Sequence, residues 1–330
     1  MNLLNNILRP IIDFFYLIVP NYGVAIILFT IVVKAALTPF DLKSRRSMRK
    51  MATVNPKIEE LKKKYSGDQE KLNQKTQELY RKEKINPLAG CLPMLLTMPI
   101  LFAMFAVMRN IANEQLVSQY LQMIHGKIPP SEAFLWIKNL WMPDSFAAPI
   151  MPDANALRII GQDVWVKMSA ALVSSGVLGE ETLLSFVDKA AFDAFLATIP
   201  SAIANAPNYE NYLQIFPGWQ NVSMIIFNFS VYVRMNGYFI LPILAVLTQF
   251  ASQKLNAMGT QGSEQAASTN KTMMMLMPLM SIWFCATSSS AFSIYWVVSN
   301  IVATAQQIVF NRYFAWQDRK AAVAEEVGIQ

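Results

Sequence analysis

Five stretches of this chain are apolar over enough residues to cross about 30 Å of hydrocarbon, which takes about 20 residues of helix. They run over residues 21–40, 87–108, 238–255, 272–289 and 290–312. Only "SSSA", Ser288 to Ala291, joins the last two, so they form a tight hairpin. Prolines 93, 99, 242 and 278 fall inside spans, where neighbouring helices or Ser and Thr groups can satisfy the backbone groups that proline frees. Ahead of the first span, residues 1–20 carry Leu4, Ile7, Leu8, Ile11, Ile12, Phe15 and Ile18 at helical spacing. Arg9 and Asp13 interrupt the run and no small-residue cleavage site follows, so it reads as an interfacial amphipathic helix and not as a signal peptide.

The polar segments are patterned too. In residues 41–86, Asn55-Pro56 reads as a cap and first-turn proline, and Ile58, Leu61 and Tyr65 share one helical face. Ser66-Gly67-Asp68 supplies a turn, and Leu72 and Leu79 mark a return helix. The prediction is a helical hairpin about 25 Å long at about 1.5 Å per residue. A solvated charged spacer is the plainer alternative, because the stripes are sparse. Residues 109–237 contain "FLWIKNLWMPD", Phe134 to Asp144, whose aromatic residues suit a headgroup boundary, and then weakly helical material from 153 to 206. "VSMIIFNFSVYV", Val222 to Val233, is apolar enough to suggest a sixth span. An added span would unbalance the basic loops, so an interfacial or partly buried element is expected. Residues 256–271 read as a short loop and 313–330 as a tail.

Charge sets the orientation. Residues 41–86 hold fourteen of the chain's 28 Lys and Arg against seven acids, whereas residues 109–237 hold seven against ten acids. Basic loops stay cytoplasmic, so the hairpin and the 256–271 loop are expected inside and the 109–237 region outside. Arg312, Arg319 and Lys320 put the C-terminus inside, and five spans then put the N-terminus outside.

Composition agrees: 54% hydrophobic and 15% charged residues mark a membrane protein. The formal charge of +6 is segregated by segment, so direct nucleic-acid binding is set aside. Two cysteines, Cys91 and Cys285, each inside a different apolar run, offer neither a disulfide framework nor a multi-cysteine metal site. With His125 the single histidine, and with no G-x-S-x-G elbow or P-loop, no enzyme is expected.

The polar groups inside the spans carry the functional signal. Thr30, Lys34 and Thr38 lie at i, i+4 and i+8, on one slowly drifting face of the first span. A charge at the centre of a membrane helix costs about 2.5 to 3.5 kcal/mol on insertion scales and usually faces water or a partner. Gln249 and Gln253 are one turn apart in the third span, and the fifth holds Ser299, Asn300, Thr304, Gln306 and Gln307. Two readings stand. Lys34 lies seven residues before Asp41, about 10 Å of helix, so its ammonium can simply reach the interface, and the amides can be helix-to-helix glue. The clustering of all these groups in the inner half favours a cavity open to the cytoplasm. The methionines of "MLLTMPILFAMFAVM" and "TMMMLMPLM" suit core packing better than a promiscuous binding surface.

In order along the chain, "YGVAIILFTIVVKAALTP", the basic hairpin, "NPLAGCLPMLLTMPI", "FLWIKNLWMPD", "ILPILAVLTQFASQKL", "MMMLMPLM" and "YWVVSNIVATAQQ" resemble the YidC family of membrane protein insertases. The resemblance covers residues 22–144 and 238–312. It implies an all-α membrane protein with five transmembrane helices forming a hydrophilic groove open to the cytoplasm and lipid, a cytoplasmic helical hairpin and the N-terminal interfacial helix. In that family a basic residue of the first span, usually arginine, sits in the groove, and Lys34 occupies that place. Thr30, Thr38, Gln249, Gln253, Asn300 and Thr304 would line the groove with it, and Trp296 matches a family aromatic on the exit path to lipid. The implied partners are nascent integral membrane proteins and the bilayer, with the ribosome and Sec translocon as contacts of the hairpin through Arg45, Arg46, Arg49, Lys50, Lys62 and Lys63. No cofactor or nucleotide is implied, and the expected place is the plasma membrane.

Departures from the family pattern also shape the expectations. Lysine keeps the charge of arginine but loses its planar fork for carboxylates. Residues 145–237 match no family motif, and the tail is short and not strongly basic, unlike the ribosome-tethering tails of some relatives. The external domain that precedes the core in some bacterial members has no counterpart, which points to a Gram-positive type organism. A proton-coupled or small-solute transporter using Lys34 as a relay is the alternative function, but an odd number of spans, no inverted repeat and no membrane carboxylate speak against it. A purely structural assembly partner is the third.

Overall fold

The computed structural model describes residues 2–83, 92–130, 132–207, 219–224, 227–232, 235–258, 264–326 and 328. The helices are α1 (Asn2–Ile18), α2 (Tyr22–Lys64), α3 (Gln69–Lys82), α4 (Leu92–Ile124), α5 (Ala154–Arg158), α6 (Gln162–Ser174), α7 (Lys189–Ala204), α8 (Ile240–Met258), α9 (Glu264–Thr287) and α10 (Ser290–Glu326). One antiparallel sheet interrupts this helical fold, formed by β1 (Trp219–Met224) and β2 (Phe227–Tyr232). Among the described residues, α2 and α10 are long and apolar enough to cross a membrane, and α8 and α9 hold shorter apolar stretches. Cys91 lies outside the described residues, while Cys285 is a buried free thiol.

The chain divides into two units, and the first comprises Met1–Leu28, Ala103–Leu244 and Ile282–Trp296. Its core forms around α4, where Met104, Val107, Met108, Ile111, Val117 and Leu121 are buried. The region expected to be weakly helical folds as α5, α6 and α7. Asp153 and Asp188 accept from the N–H groups of Ala156 and Ala191 at 2.8 and 2.7 Å, fixing the first turns of α5 and α7. Trp165 of α6, fully buried, meets Tyr120 of α4 and Phe195 of α7 edge to face at 5.3 and 5.1 Å. Such ring pairs add about 0.5–1.5 kcal/mol beyond their buried area.

The described residues of the run that resembled a sixth span, 222–224 and 227–232, lie in the sheet, paired from Trp219↔Tyr232 to Met224↔Phe227. Phe227, Phe229 and Val231 alternate with Asn228 and Ser230, the two-residue period of a strand, and aromatic and β-branched residues favour that conformation.

"FLWIKNLWMPD" packs into the core of the first unit, where Ile137, Leu140, Trp141 and Met142 are buried. Phe134 and Ile137 exchange backbone hydrogen bonds of 2.9 Å around Leu135, whose φ is 55°. Gly23 leaves room for the Phe134 ring, which a Cβ there would strike. Asn139, Asp144 and Asn236 are completely buried. Asp144 accepts from the N–H groups of Leu241 and Phe239 at 2.6 and 3.2 Å and from Trp136 Nε1 at 3.2 Å, so its carboxylate closes the N-terminus of α8. The Asn236 amide donates to the carbonyls of Asn139, Met142 and Pro143 at 2.9 to 3.1 Å, while its oxygen accepts from Asn139 N–H at 2.7 Å. Ser290, at the start of α10, donates from both N–H and Oγ to the Met142 carbonyl. Backbone groups of this loop and of the starts of α8 and α10 thus find protein partners.

The second unit comprises Phe29–Phe102, Ala245–Ser281 and Val297–Gln330. Here α2 runs unbroken to Lys64, so Asn55-Pro56 is not a helix start and Pro56 lies inside the helix. The proline forfeits one i→i−4 bond. Burial of Val54 and Ile58 on either side of it offsets that loss. A turn at 65–67 leads to α3, whose first turn is capped by Asp68 accepting from Lys71 N–H at 3.0 Å. Lys57 of α2 pairs with Glu83 just past α3 at 2.6 Å, joining the two arms of the hairpin. At the other end of the chain, α10 continues through residues expected as a tail.

Candidate functional site

Lys34 sits in an apolar part of α2, five residues before Pro39, and is half-buried. Thr38 Oγ1 donates back to the Lys34 carbonyl at 2.9 Å, the i−4 bond that lets a threonine hide its hydroxyl in a helix. Gln306 of α10 completes the arrangement: its Nε2 donates to Thr38 Oγ1 at 2.7 Å and to the Lys34 carbonyl at 3.1 Å. A carboxamide nitrogen carries two N–H donors, so one side chain serves both acceptors. Among the described residues no carboxylate comes within ion-pair distance of the Lys34 ammonium. The negative charge that acts on it is Asp41, two turns along the same helix.

A second polar group in the same unit joins α8 to α10. Asn300 Nδ2 donates to Thr248 Oγ1 at 3.4 Å, and Thr304 Oγ1 donates to the Asn300 carbonyl at 2.7 Å. Gln249 is half-buried, and one turn on the amide oxygen of Gln253 is buried without a hydrogen-bond partner, as is that of Gln307. Thr30 is buried at 1% exposure. Of the expected groove residues, then, Lys34 and Thr38 are joined through Gln306, and Asn300 and Thr304 form another set with Thr248. Trp296 belongs to the first unit, where its ring tilts against Phe292 at 5.8 Å. Gln306 is one of the fifth-span polar groups expected to share the cavity with Lys34, whereas Thr248 was not singled out. The signal for Thr248 was available: it is a hydrogen-bonding side chain within an apolar run.

The expected hairpin contacts divide into two kinds. Arg45, Arg46 and Arg49 engage α10. The Arg45 and Arg49 guanidiniums stand over the rings of Phe310 and Phe314 at 5.4 and 4.5 Å, Arg49 pairs with Asp318 at 2.6 Å, and Arg46 donates to Tyr313 Oη at 3.3 Å. Arginines four residues apart meet aromatics four residues apart, so the two helices mesh in register. Lys50 and Lys63 are exposed, and Lys62 lies 3.5 Å from Glu59 on its own helix. Hydrogen bonding from Lys57 holds the Glu83 carboxyl below its usual range, and the backbone N–H of Lys71 does the same for Asp68.

Residues 14–318 match the family model described as 60Kd inner membrane protein. The chain belongs to the YidC/Albino3 family of membrane protein insertases. Among its relatives in this family, the membrane protein insertase YidC of Fusobacterium nucleatum is 41% identical over 154 residues, 47% of this chain and 66% of that protein. ALBINO3-like protein 1, chloroplastic, of Arabidopsis thaliana is 28% identical over 293 residues, 89% of this chain and 44% of that protein. The membrane protein insertase YidC of Syntrophobacter fumaroxidans is 42% identical over 136 residues, 41% of this chain and 22% of that protein. The matches thus span from about a fifth to two thirds of these family members' own length. Family membership and the apolar helices together make this a helical membrane protein.

Proposed function

We propose that this chain is a membrane protein insertase and chaperone that receives polar segments of entering proteins at Lys34. The observation that carries the reading is an ammonium in an apolar helix, without a carboxylate within ion-pair distance among the described residues, on a helical turn whose carbonyl is bonded by Thr38 and Gln306. A polar or acidic tail entering the bilayer loses hydration, and a fixed counter-charge partway across lowers that cost. The unpaired amide oxygens of Gln253 and Gln307 support a wet surface, since buried acceptors without protein partners usually hold water. Substrate would be bound and released by non-covalent contacts, with no bond broken.

In this reading five helices span the membrane, with the N-terminus outside and the C-terminus in the cytoplasm. The 41–86 hairpin and the last turns of α10 lie on the cytoplasmic side, the 109–237 region outside, and α1 in the interface. Nascent membrane proteins and lipid are the partners, and the exposed Lys50 and Lys63 are where a ribosome or translocon would touch the hairpin. The transporter alternative has no observation in its favour. The direct test is insertion of a short membrane protein with an acidic translocated tail into vesicles containing this chain alone. Protected tail in those vesicles, and none in empty ones, is expected; equal protection in both overturns the reading.

A further inference from the structure

A cavity of about 260 Å3 in the first unit is lined by Arg9, Val107, Asn110, Glu114, Asp163 and Lys167, together with Val164. We infer that it binds the head group of an aminophospholipid, a phosphodiester that carries a primary ammonium. The inference rests on the membrane placement proposed above.

The charges are arranged for a zwitterion. Glu114 is held between two cations: Arg9 grips it with both terminal nitrogens at 2.7 and 2.6 Å, and Lys167 Nζ donates to it at 2.6 Å. Burial pushes the Glu114 carboxyl up, but hydrogen bonds from Arg9 and Lys167 outweigh it and leave the group below its usual range, so it stays ionised. The Lys167 side chain is still 57% exposed and keeps N–H donors for a phosphate. Asp163, in the first turn of α6, lies folded over Gly161, and among the described residues no cation pairs with its carboxylate. Two cations thus face two carboxylates, and a third carboxylate, Asp13, lies 3.6 Å from Arg9 Nε. A purely anionic ligand would meet as much repulsion as attraction. A ligand with a phosphate at one end and a hydrogen-bonding ammonium at the other satisfies Lys167 and Asp163 together.

The position suits a lipid. Arg9 comes from α1, whose Ile7, Phe14, Leu17 and Ile18 are 51%, 57%, 82% and 60% exposed, an apolar surface that needs hydrocarbon beside it. Val107 and Val164 give the cavity an apolar wall for the glycerol end. Asn110 and Glu114 follow directly on the apolar run of α4, at the depth where head groups meet water.

The test titrates the full chain in detergent with short-chain phosphatidylethanolamine, phosphatidylcholine and phosphatidylglycerol, read by native mass spectrometry. Phosphatidylethanolamine should bind about tenfold more tightly than the other two. Asp163→Asn should reduce it to the level of phosphatidylcholine, whose methylated ammonium cannot donate, and Lys167→Gln should weaken binding of all three. Equal binding of the three lipids, or a preference untouched by Asp163→Asn, overturns the inference. The vesicle insertion assay separates this outcome from failure of the insertase reading: a lipid preference without insertion sinks only the latter, and insertion without a preference sinks only the former.

Discussion

The Gln306 amide lies 2.7 Å from the Thr38 hydroxyl and, through it, 2.9 Å further to the carbonyl of Lys34. This relationship ties the turn that carries the cation to α10. It makes the lysine's position a property of two helices and not of α2 alone.

Replacing Gln306 by leucine keeps the bulk and removes both donors. A neutral hydrogen bond is worth about 1 kcal/mol, so the fold should persist with a stability loss of about 1–2 kcal/mol. Vesicle insertion of acidic-tailed substrate should fall several-fold, because the Lys34 turn loses its anchor. Wild-type insertion by Gln306→Leu would show that the latch has no part in function.

Lys34→Ala should lower insertion of acidic-tailed substrates by about tenfold, or ~1.4 kcal/mol, and that of neutral-tailed ones by less. Lys34→Arg should retain activity on both. Protease protection of the translocated tail reads each case, and unimpaired insertion of acidic tails by the alanine variant rules out the counter-charge role.

Breaking the contact between α2 and the end of α10 should free the C-terminal helix without unfolding the chain. Arg49 combines a ring contact with an exposed ion pair to Asp318, together worth about 1–2 kcal/mol. Arg49→Ala should speed proteolysis after residue 312, whereas Asp318→Asn, which leaves the Phe314 contact in place, should do so only slightly.

Asp144→Ala removes the acceptor of two backbone N–H groups and an indole in a fully buried place. A loss of about 3 kcal/mol or more is expected in detergent unfolding, with Asp144→Asn roughly midway. A Cβ at residue 237 would strike the same carboxylate, so Gly237→Ala should be destabilising as well.

Glu114 adds an acid dependence. Its folded carboxyl lies below the ordinary glutamate value, so its contribution is complete above about pH 4.3 and is lost as the pH falls through the lower folded value. The exposed ends of Arg9 and Lys167 screen the interaction, which limits it to about 1 kcal/mol. Glu114→Gln should flatten stability against pH in that acid window and leave the slope above pH 5 unchanged.

Hydrophobic runs made the long helices legible, because a helix needs only local hydrogen bonds and an apolar face. The same reasoning ended the first span at residue 40 and began a new helix at Asn55-Pro56, where local chemistry says helix start but one helix runs through to Lys64, with Val54 and Ile58 buried on either side of the proline. It passed over β1 and β2, since a short apolar stretch carries too little periodicity to separate strand from helix. Lys34 and Thr38 stood out because each breaks an apolar pattern on its own helix. Arg45 and Arg49 were expected to face an outside partner, since nothing in their own segment names Phe310 and Phe314, the rings they stand over.

The sequence by itself determined where apolar helices form, which family the chain resembles and that a cation stands inside the first of them. These follow from composition and short-range periodicity. Tertiary structure alone decided that Gln306 holds the Lys34 turn, that Asp144 closes the N-terminus of a distant helix while Asn236 ties the loop around it, and that Arg9, Glu114 and Lys167 share one cavity. Such links join residues far apart in the chain through hydrogen bonds and charges, whose strength depends on geometry that no local pattern encodes.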